Sequence, residues 1–230
     1  KYGSKLLANN ILTSIYINIS NLVIAKKYSS ADLAFYNRAF TLSQFPSTSI
    51  AEVLNRVIFP IMTKVQDNRD KLKECYFKYL HLSHYIILPL MGLLIVFAKP
   101  LVIVLLTEKW LPMVPYLQIF CLNFMLFPIM QQSGNTVAAI GNVGILLKYQ
   151  FLKRSISLLI LLFTISMGIP AICIGIVVSS VFEVCINVFI EKKEIGIGYM
   201  EQIKTQMDVI LLTIGSCIVA YLTTLIIDSS

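Results

Sequence analysis

The sequence predicts an all-α, polytopic membrane protein with about seven transmembrane helices, and three observations carry that prediction. Hydrophobic residues make up 57% of the chain and charged residues only 13%, against about a quarter charged in a water-facing globule. Mean hydropathy is +0.78, and the apolar runs reach the roughly 20 residues that a spanning helix needs. Finally, the positive charges sort to one side of the runs, as the loops of a helical membrane protein do. Runs of this length are helices and not barrel strands, because each helix satisfies its own backbone in lipid.

The spans read, in order, as 3–25, 32–62, 79–98, 112–134, 146–167, 169–190 and 208–227. If they alternate in direction, one side collects Lys1, Lys5, Arg56, Lys64, Arg69, Lys71, Lys73, Lys78, Lys148, Lys153, Arg154, Lys192, Lys193 and Lys204, and the other only Lys26, Lys27, Arg38, Lys99 and Lys109. Positive loops are cytoplasmic, which puts the N-terminus of this segment on the cytoplasmic side. The net charge of +7 therefore reports topology and gives no reason to expect a nucleic-acid partner. An odd number of spans, with Lys1 directly on the first and Ser230 just past the seventh, leads us to expect a piece of a longer transporter. Its expected units are a six-helix lobe over 1–190, a cytoplasmic linker over 191–207 and an additional transmembrane helix over 208–230.

The first span carries Asn10, Ser14, Asn18 and Asn21 within an arc of about 80°. Such a stripe either hydrogen-bonds a neighbouring helix or lines a hydrated cavity. The second span repeats it more strongly. Asn37, Thr41, Gln44, Thr48, Glu52 and Asn55 fall within a similar arc at about 100° per residue, and lipid does not tolerate them. Arg38 and Arg56 flank this face roughly 27 Å apart at 1.5 Å per residue, close to the hydrocarbon thickness of about 30 Å. Either arginine can anchor at an interface or meet an anionic substrate. Glu52 is the carboxylate to test for ion coupling, with an i, i+4 ion pair to Arg56 as the rival reading. Pro46 predicts a kink.

The residues 69–78 are charged and amphipathic and read as a surface lead-in to the third span. His81 and His84, spaced i, i+3, suit interfacial anchoring better than metal binding, as no acidic or cysteine partner is near. In the fourth span, Gln131, Gln132, Ser133 and Asn135 mark either a cavity mouth or the helix exit. Lys148, Lys153 and Arg154 open the fifth span as interfacial charges or as contacts for an anionic headgroup. Glu183 and Asn187, one turn apart in the sixth, read as helix packing in the first instance. The five cysteines are scattered without CxxC spacing, so neither a disulfide framework nor a metal site is expected. No Walker A loop, HExxH or GxSxG motif is present, and neither enzyme chemistry nor a cofactor is expected.

Several short segments recur in a fixed order: Lys1-Tyr2-Gly3, Leu33-Ala34-Phe35-Tyr36-Asn37-Arg38-Ala39, Phe59-Pro60, Lys109-Trp110-Leu111-Pro112 and Pro115-Tyr116-Leu117-Gln118-Ile119. Over residues 1–155 the chain resembles the C-terminal half of polysaccharide flippases of the MOP exporter superfamily, in the lipopolysaccharide (O-antigen, colanic-acid) branch. Ala34 and Thr107 stand where that family often has glycine, and Ser20 where it often has an acidic residue. The resemblance implies the second lobe of a MATE-like transporter plus one extra helix, in a bacterial cytoplasmic (inner) membrane. Its partners would be a lipid-linked (undecaprenyl-pyrophosphate) oligosaccharide, membrane lipids, the missing N-terminal lobe of the same chain and a coupling ion, H+ or Na+. The substrate would cross from the inner to the outer leaflet by alternating access, with the stripes above forming part of the cavity wall. A multidrug/cation antiporter of the same superfamily and a non-transporting membrane scaffold subunit are the alternatives.

Overall fold

The computed structural model describes Ser14 and residues 21–228. Among the described residues the chain is helical, with short turns between helices and no strand. Residues 21–27 are helical and lead into α1 (Ser30–Lys64). Ser29 caps α1: its hydroxyl accepts from the Asp32 backbone N–H at 3.1 Å, while the Asp32 carboxylate accepts from the Ser29 N–H at 3.3 Å. Two orphan donors are thereby satisfied reciprocally. The helix remains continuous through Pro46 and Pro60.

Asn68 caps α2 (Arg69–Val96) through the Lys71 N–H at 3.1 Å. The expected surface lead-in is thus the first turns of the third spanning helix itself. After Phe97, the short α3 (Ala98–Leu106) and a 3₁₀ segment (Glu108–Met113) lead into α4 (Val114–Met125). Thr107 joins α3 to the 3₁₀ segment with φ 87° and ψ 166°, a region essentially reserved for glycine. The glycine that the family resemblance leads one to expect at this position has a conformational reason. Thr107→Gly is expected to stabilise the protein by about 1 kcal/mol, the strain of roughly 1–3 kcal/mol less the backbone entropy that glycine adds. A raised thermal midpoint in detergent is the readout, and a lowered one contradicts the strain.

The single span expected over 112–134 lies within one apolar stretch, Glu108–Ala139, that bends at Leu126. α4 ends at Met125 and α5 (Phe127–Ala139) begins after Leu126. Pro128 has no N–H for the carbonyl of Phe124, four residues earlier. That carbonyl instead accepts from the Ser47 hydroxyl of α1 at 2.9 Å, so the break in one helix becomes a tie to another.

α6 (Val143–Thr164) and α7 (Ile169–Glu194) form an antiparallel hairpin, turning at Gly168 with φ 108°. A short turn over 195–198 then reverses the chain into α8 (Tyr199–Asp228), so much of the 191–207 segment is helical. α8 packs along α2, and Gly92 permits the approach: a Cβ there would lie 2.4 Å from Cys217 Sγ.

Among the described residues, four stretches are long and apolar enough to cross a membrane: Arg69–Val96, Glu108–Ala139, Ile169–Glu194 and Tyr199–Thr224. The chain is a multi-pass helical membrane protein, but this measure does not reach the expected seven spans. α1 is diluted by its polar stripe and α6 by Lys148, Lys153 and Arg154. The expected first span falls mostly outside the described residues.

Among the described residues, two apolar clusters hold the helices. One gathers Tyr36, Ala39, Met91, Phe120, Phe124 and Ile172; the other gathers Met62, Leu72, Tyr76, Tyr79, Ala139 and Ile197 toward the α7–α8 turn. The recurring motifs meet in the first. Phe35 packs edge-on against Trp110 at 5.7 Å, and Tyr36 against Phe120 at 5.3 Å, while Gln118 Nε2 donates to the Ile95 carbonyl at 3.0 Å. These contacts fix how α1 meets the 3₁₀ segment and α4, and how α4 meets α2.

Candidate functional site

α1 has two distinct faces. Tyr36, Ala39, Ser43, Ser47 and Ala51 are buried, and their small side chains let α1 lie close to its neighbours. The polar stripe lies about 100° around the helix from them and is left uncovered by the other described helices. Asn37, Arg38, Thr41, Glu52 and Arg56 are exposed, and Gln44, Thr48 and Asn55 are half-buried. The threonines are satisfied within the helix: Thr41 Oγ1 donates to the Asn37 carbonyl at 2.9 Å and Thr48 Oγ1 to the Gln44 carbonyl at 3.0 Å. Among the described residues, Glu52 and Arg56 form no ion pair despite their spacing. Both point outward, and burial supplies nothing to hold two long side chains together.

At the other end of the stripe, Asn135 Nδ2 of α5 donates to Asn55 Oδ1 at 2.7 Å. Gln131 Oε1 accepts from the Tyr79 hydroxyl at 3.4 Å. Gln132 is fully buried, and its Nε2 donates to Met62 Sδ at 3.0 Å. The α5 polar cluster and the α1 stripe are thus contiguous at Asn55, with Gln132 turned into the packed interior. In the first-span stripe, Ser14 is exposed and Asn21 half-buried, both in helix; Asn10 and Asn18 lie outside the described residues.

Polar side chains also meet inside the helix packing, most of them residues that the sequence assigned to surfaces or linkers. Lys153 of α6, expected at an interface, is 8% exposed. Its ammonium donates to Asn187 Oδ1 and lies 3.6 Å from Glu183 Oε1. Glu183 and Asn187 are therefore engaged in packing α7 against α6.

Two turns beyond Glu183, Glu191 is 0% exposed. Its Oε2 accepts from the Tyr76 hydroxyl of α2 and from Gln202 Nε2 of α8, each at 2.6 Å. Glu191 Oε1 is buried without a hydrogen-bond partner, and so is the Ser133 hydroxyl of α5, which stands beside the same carboxyl group outside hydrogen-bond geometry. Four helices converge on one acid.

His84 is buried and not an interfacial anchor, because α8 covers it: His84 Nδ1–H donates to Gln206 Oε1 at 2.8 Å. His81 sits 3.8 Å from Asp208 of the same helix. Among the described residues, no group of three or more His, Cys, Asp and Glu side chains is placed to hold a metal ion together. Grooves of about 600 and 410 Å³ flank the α2–α8 contact, and their linings are almost wholly apolar.

Comparison with known proteins adds the family. The sequences described as "Polysaccharide biosynthesis protein" match residues 1–115, half of the chain. An uncharacterized membrane protein in the cps region of Klebsiella pneumoniae is 28% identical over 219 residues, covering 94% of this chain and 41% of that protein. The lipopolysaccharide biosynthesis protein WzxC of Escherichia coli is 25% identical over 224 residues, 96% of this chain and 45% of its own. The teichuronic acid biosynthesis protein TuaB of Bacillus subtilis is 23% identical over 144 residues, 63% of this chain and 30% of its own. The chain thus spans less than half the length of these curated relatives. No solved structure matches it significantly. The family match begins at the first motif and ends among the last of those that carry the resemblance, and the chain belongs to the polysaccharide biosynthesis protein family.

Proposed function

We propose that this chain is the second lobe, with one extra helix, of a flippase that moves a lipid-linked oligosaccharide from the inner to the outer leaflet of the bacterial cytoplasmic membrane. The lipid is undecaprenyl pyrophosphate, the mechanism alternating access, and the reaction transport without catalysis. The observation that carries this reading is the uncovered polar face of α1. An Asn, Thr, Gln and Glu stripe runs for roughly 27 Å between two exposed arginines, about 100° around the helix from the face packed in the lobe. A glycan and its pyrophosphate need such a wet, partly cationic wall, while the polyprenyl tail remains in lipid. The polysaccharide-related names of the relatives agree with this cargo.

On this reading, Asn37, Thr41, Gln44, Thr48 and Asn55 offer hydrogen bonds to sugar hydroxyls, and Arg38 and Arg56 meet phosphate. Asn10, Ser14, Asn18 and Asn21 extend the wall, and Asn135 and Gln131 close it at the cytoplasmic mouth. The other lobe supplies the facing wall. Complementation of a bacterium lacking its own O-antigen or capsule flippase tests this with the full-length gene. Surface polysaccharide should return with the parent and fail with well-expressed Arg38→Ala. Resistance to cationic drugs in place of rescue would support an antiporter instead.

A further inference from the structure

Glu191 has an environment that sets it apart from the other described acids. It is fully enclosed by α2, α5, α7 and α8, near the cytoplasmic end of α7 by the charge asymmetry. Its hydrogen-bond donors, the Tyr76 hydroxyl and the Gln202 amide, are both uncharged and both taken by Oε2. The remaining oxygen has no partner, and the Ser133 hydroxyl, 1% exposed, stands beside the carboxyl equally without one.

The charges around it do not complete the shell. Lys153 of α6 is the positive charge felt at Glu191, but its ammonium is committed to Glu183 and Asn187. From α2, besides Tyr76, Lys73 reaches the α7–α8 turn, where its Nζ would stand 3.5 Å from a Cβ at Gly196. The residues facing the acid from α5 and α8, Ser133 and Gln202, are neutral. An enclosed carboxylate without a contacting cation is energetically expensive, and an acid in a spanning helix is a functional candidate by default. By contrast, Glu52 is exposed and carries no such constraint.

We propose that Glu191, and not Glu52, is the carboxylate that takes up the coupling cation, a single H+ or Na+, with Glu191 Oε1 and the Ser133 hydroxyl as the oxygen pair facing it. A proton on Oε1 would donate to Ser133; a sodium ion would draw on both oxygens. Either neutralises the carboxylate inside a junction that joins α8 to the six-helix lobe, so uptake and release change the charge holding that junction together. The role as coupling ion rests on the carrier reading above; the binding itself does not.

The test is infrared spectroscopy of the purified full-length protein in detergent, titrated with acid and base in sodium chloride or choline chloride. A protonated-carboxyl stretching band that titrates in the parent and is absent from Glu191→Gln is the expected result. A band that sodium displaces assigns both ions to the site, and a band indifferent to sodium assigns the proton alone. A band that persists in Glu191→Gln, or disappears in Glu52→Gln instead, overturns the proposal. Should Glu191→Gln fail to fold, Ser133→Ala and Tyr76→Phe must each shift the titration, and an unmoved band again overturns it. Failed polysaccharide rescue with the band intact counts against the carrier reading and leaves the cation site standing.

Discussion

Lys153→Met is expected to destabilise the protein by about 3 kcal/mol, the lower end of what breaking a buried ion pair costs. The figure is set low because Glu183, at 18% exposed, retains some solvation. Removing the ammonium leaves the Glu183 carboxylate and Asn187 Oδ1 without their donor at the α6–α7 contact. One buried and one half-buried acceptor are then desolvated for nothing. The companion result identifies the cause: Lys153→Met with Glu183→Gln should recover most of the loss, because a neutral contact of similar volume avoids the stranded charge. Unfolding in mixed micelles, followed by helical signal, reads both variants. Equal stability of parent and Lys153→Met would mean that the pair is solvated and contributes no more than a surface bridge, about 0–1 kcal/mol. A double variant no better than the single would place the damage in lost packing by the lysine stem.

That ion pair also illustrates how the sequence can and cannot be read. Helices, and the membrane as their solvent, were legible from apolar run length, because backbone satisfaction in lipid leaves few other options. The α1 stripe was legible because a 3.6-residue period is a local property. Lys153 and Glu191 were not. Lys153 lies beside Lys148 and Arg154, and Glu191 opens the charged run Glu191-Lys192-Lys193-Glu194, so both read as solvated flanks. Their burial arises from partners distant in sequence: α7 folding back on α6 for Lys153, and α8 folding back on α2 for Glu191. No window of consecutive residues contains that information. The interruption between α4 and α5 follows from Pro128, a proline set inside an otherwise apolar run. Thr107 lies between these cases, since a departure from a family habit marked the position and only φ supplied the reason.

The triple change Thr41→Leu, Gln44→Leu and Thr48→Leu is expected to abolish polysaccharide rescue while leaving the protein folded and abundant. Stability should hold because these side chains give the lobe little: two are exposed or half-buried hydroxyls bonded to their own helix, and the third is half-buried. Substitutions at such positions usually change stability by no more than about 0.5 kcal/mol each. Transport should not hold. A net hydrogen bond to a sugar is worth about 0.5–1.5 kcal/mol, so three lost together amount to at least about a tenfold loss. Leucine also turns a wet wall into an apolar one, which a glycan must cross undersupplied with partners. The alternatives part company on the same variant. A scaffold that uses the stripe as a packing seam would lose assembly and membrane level along with any phenotype. A carrier that uses it as a wall would keep its level and lose export. The polar-retaining triple Thr41→Ser, Gln44→Asn and Thr48→Ser keeps hydrogen-bonding groups at the same three positions of α1. Rescue retained there and lost in the leucine variant would tie transport to the polarity of this face of α1; loss in both would assign the effect to side-chain shape at these positions and not to polarity.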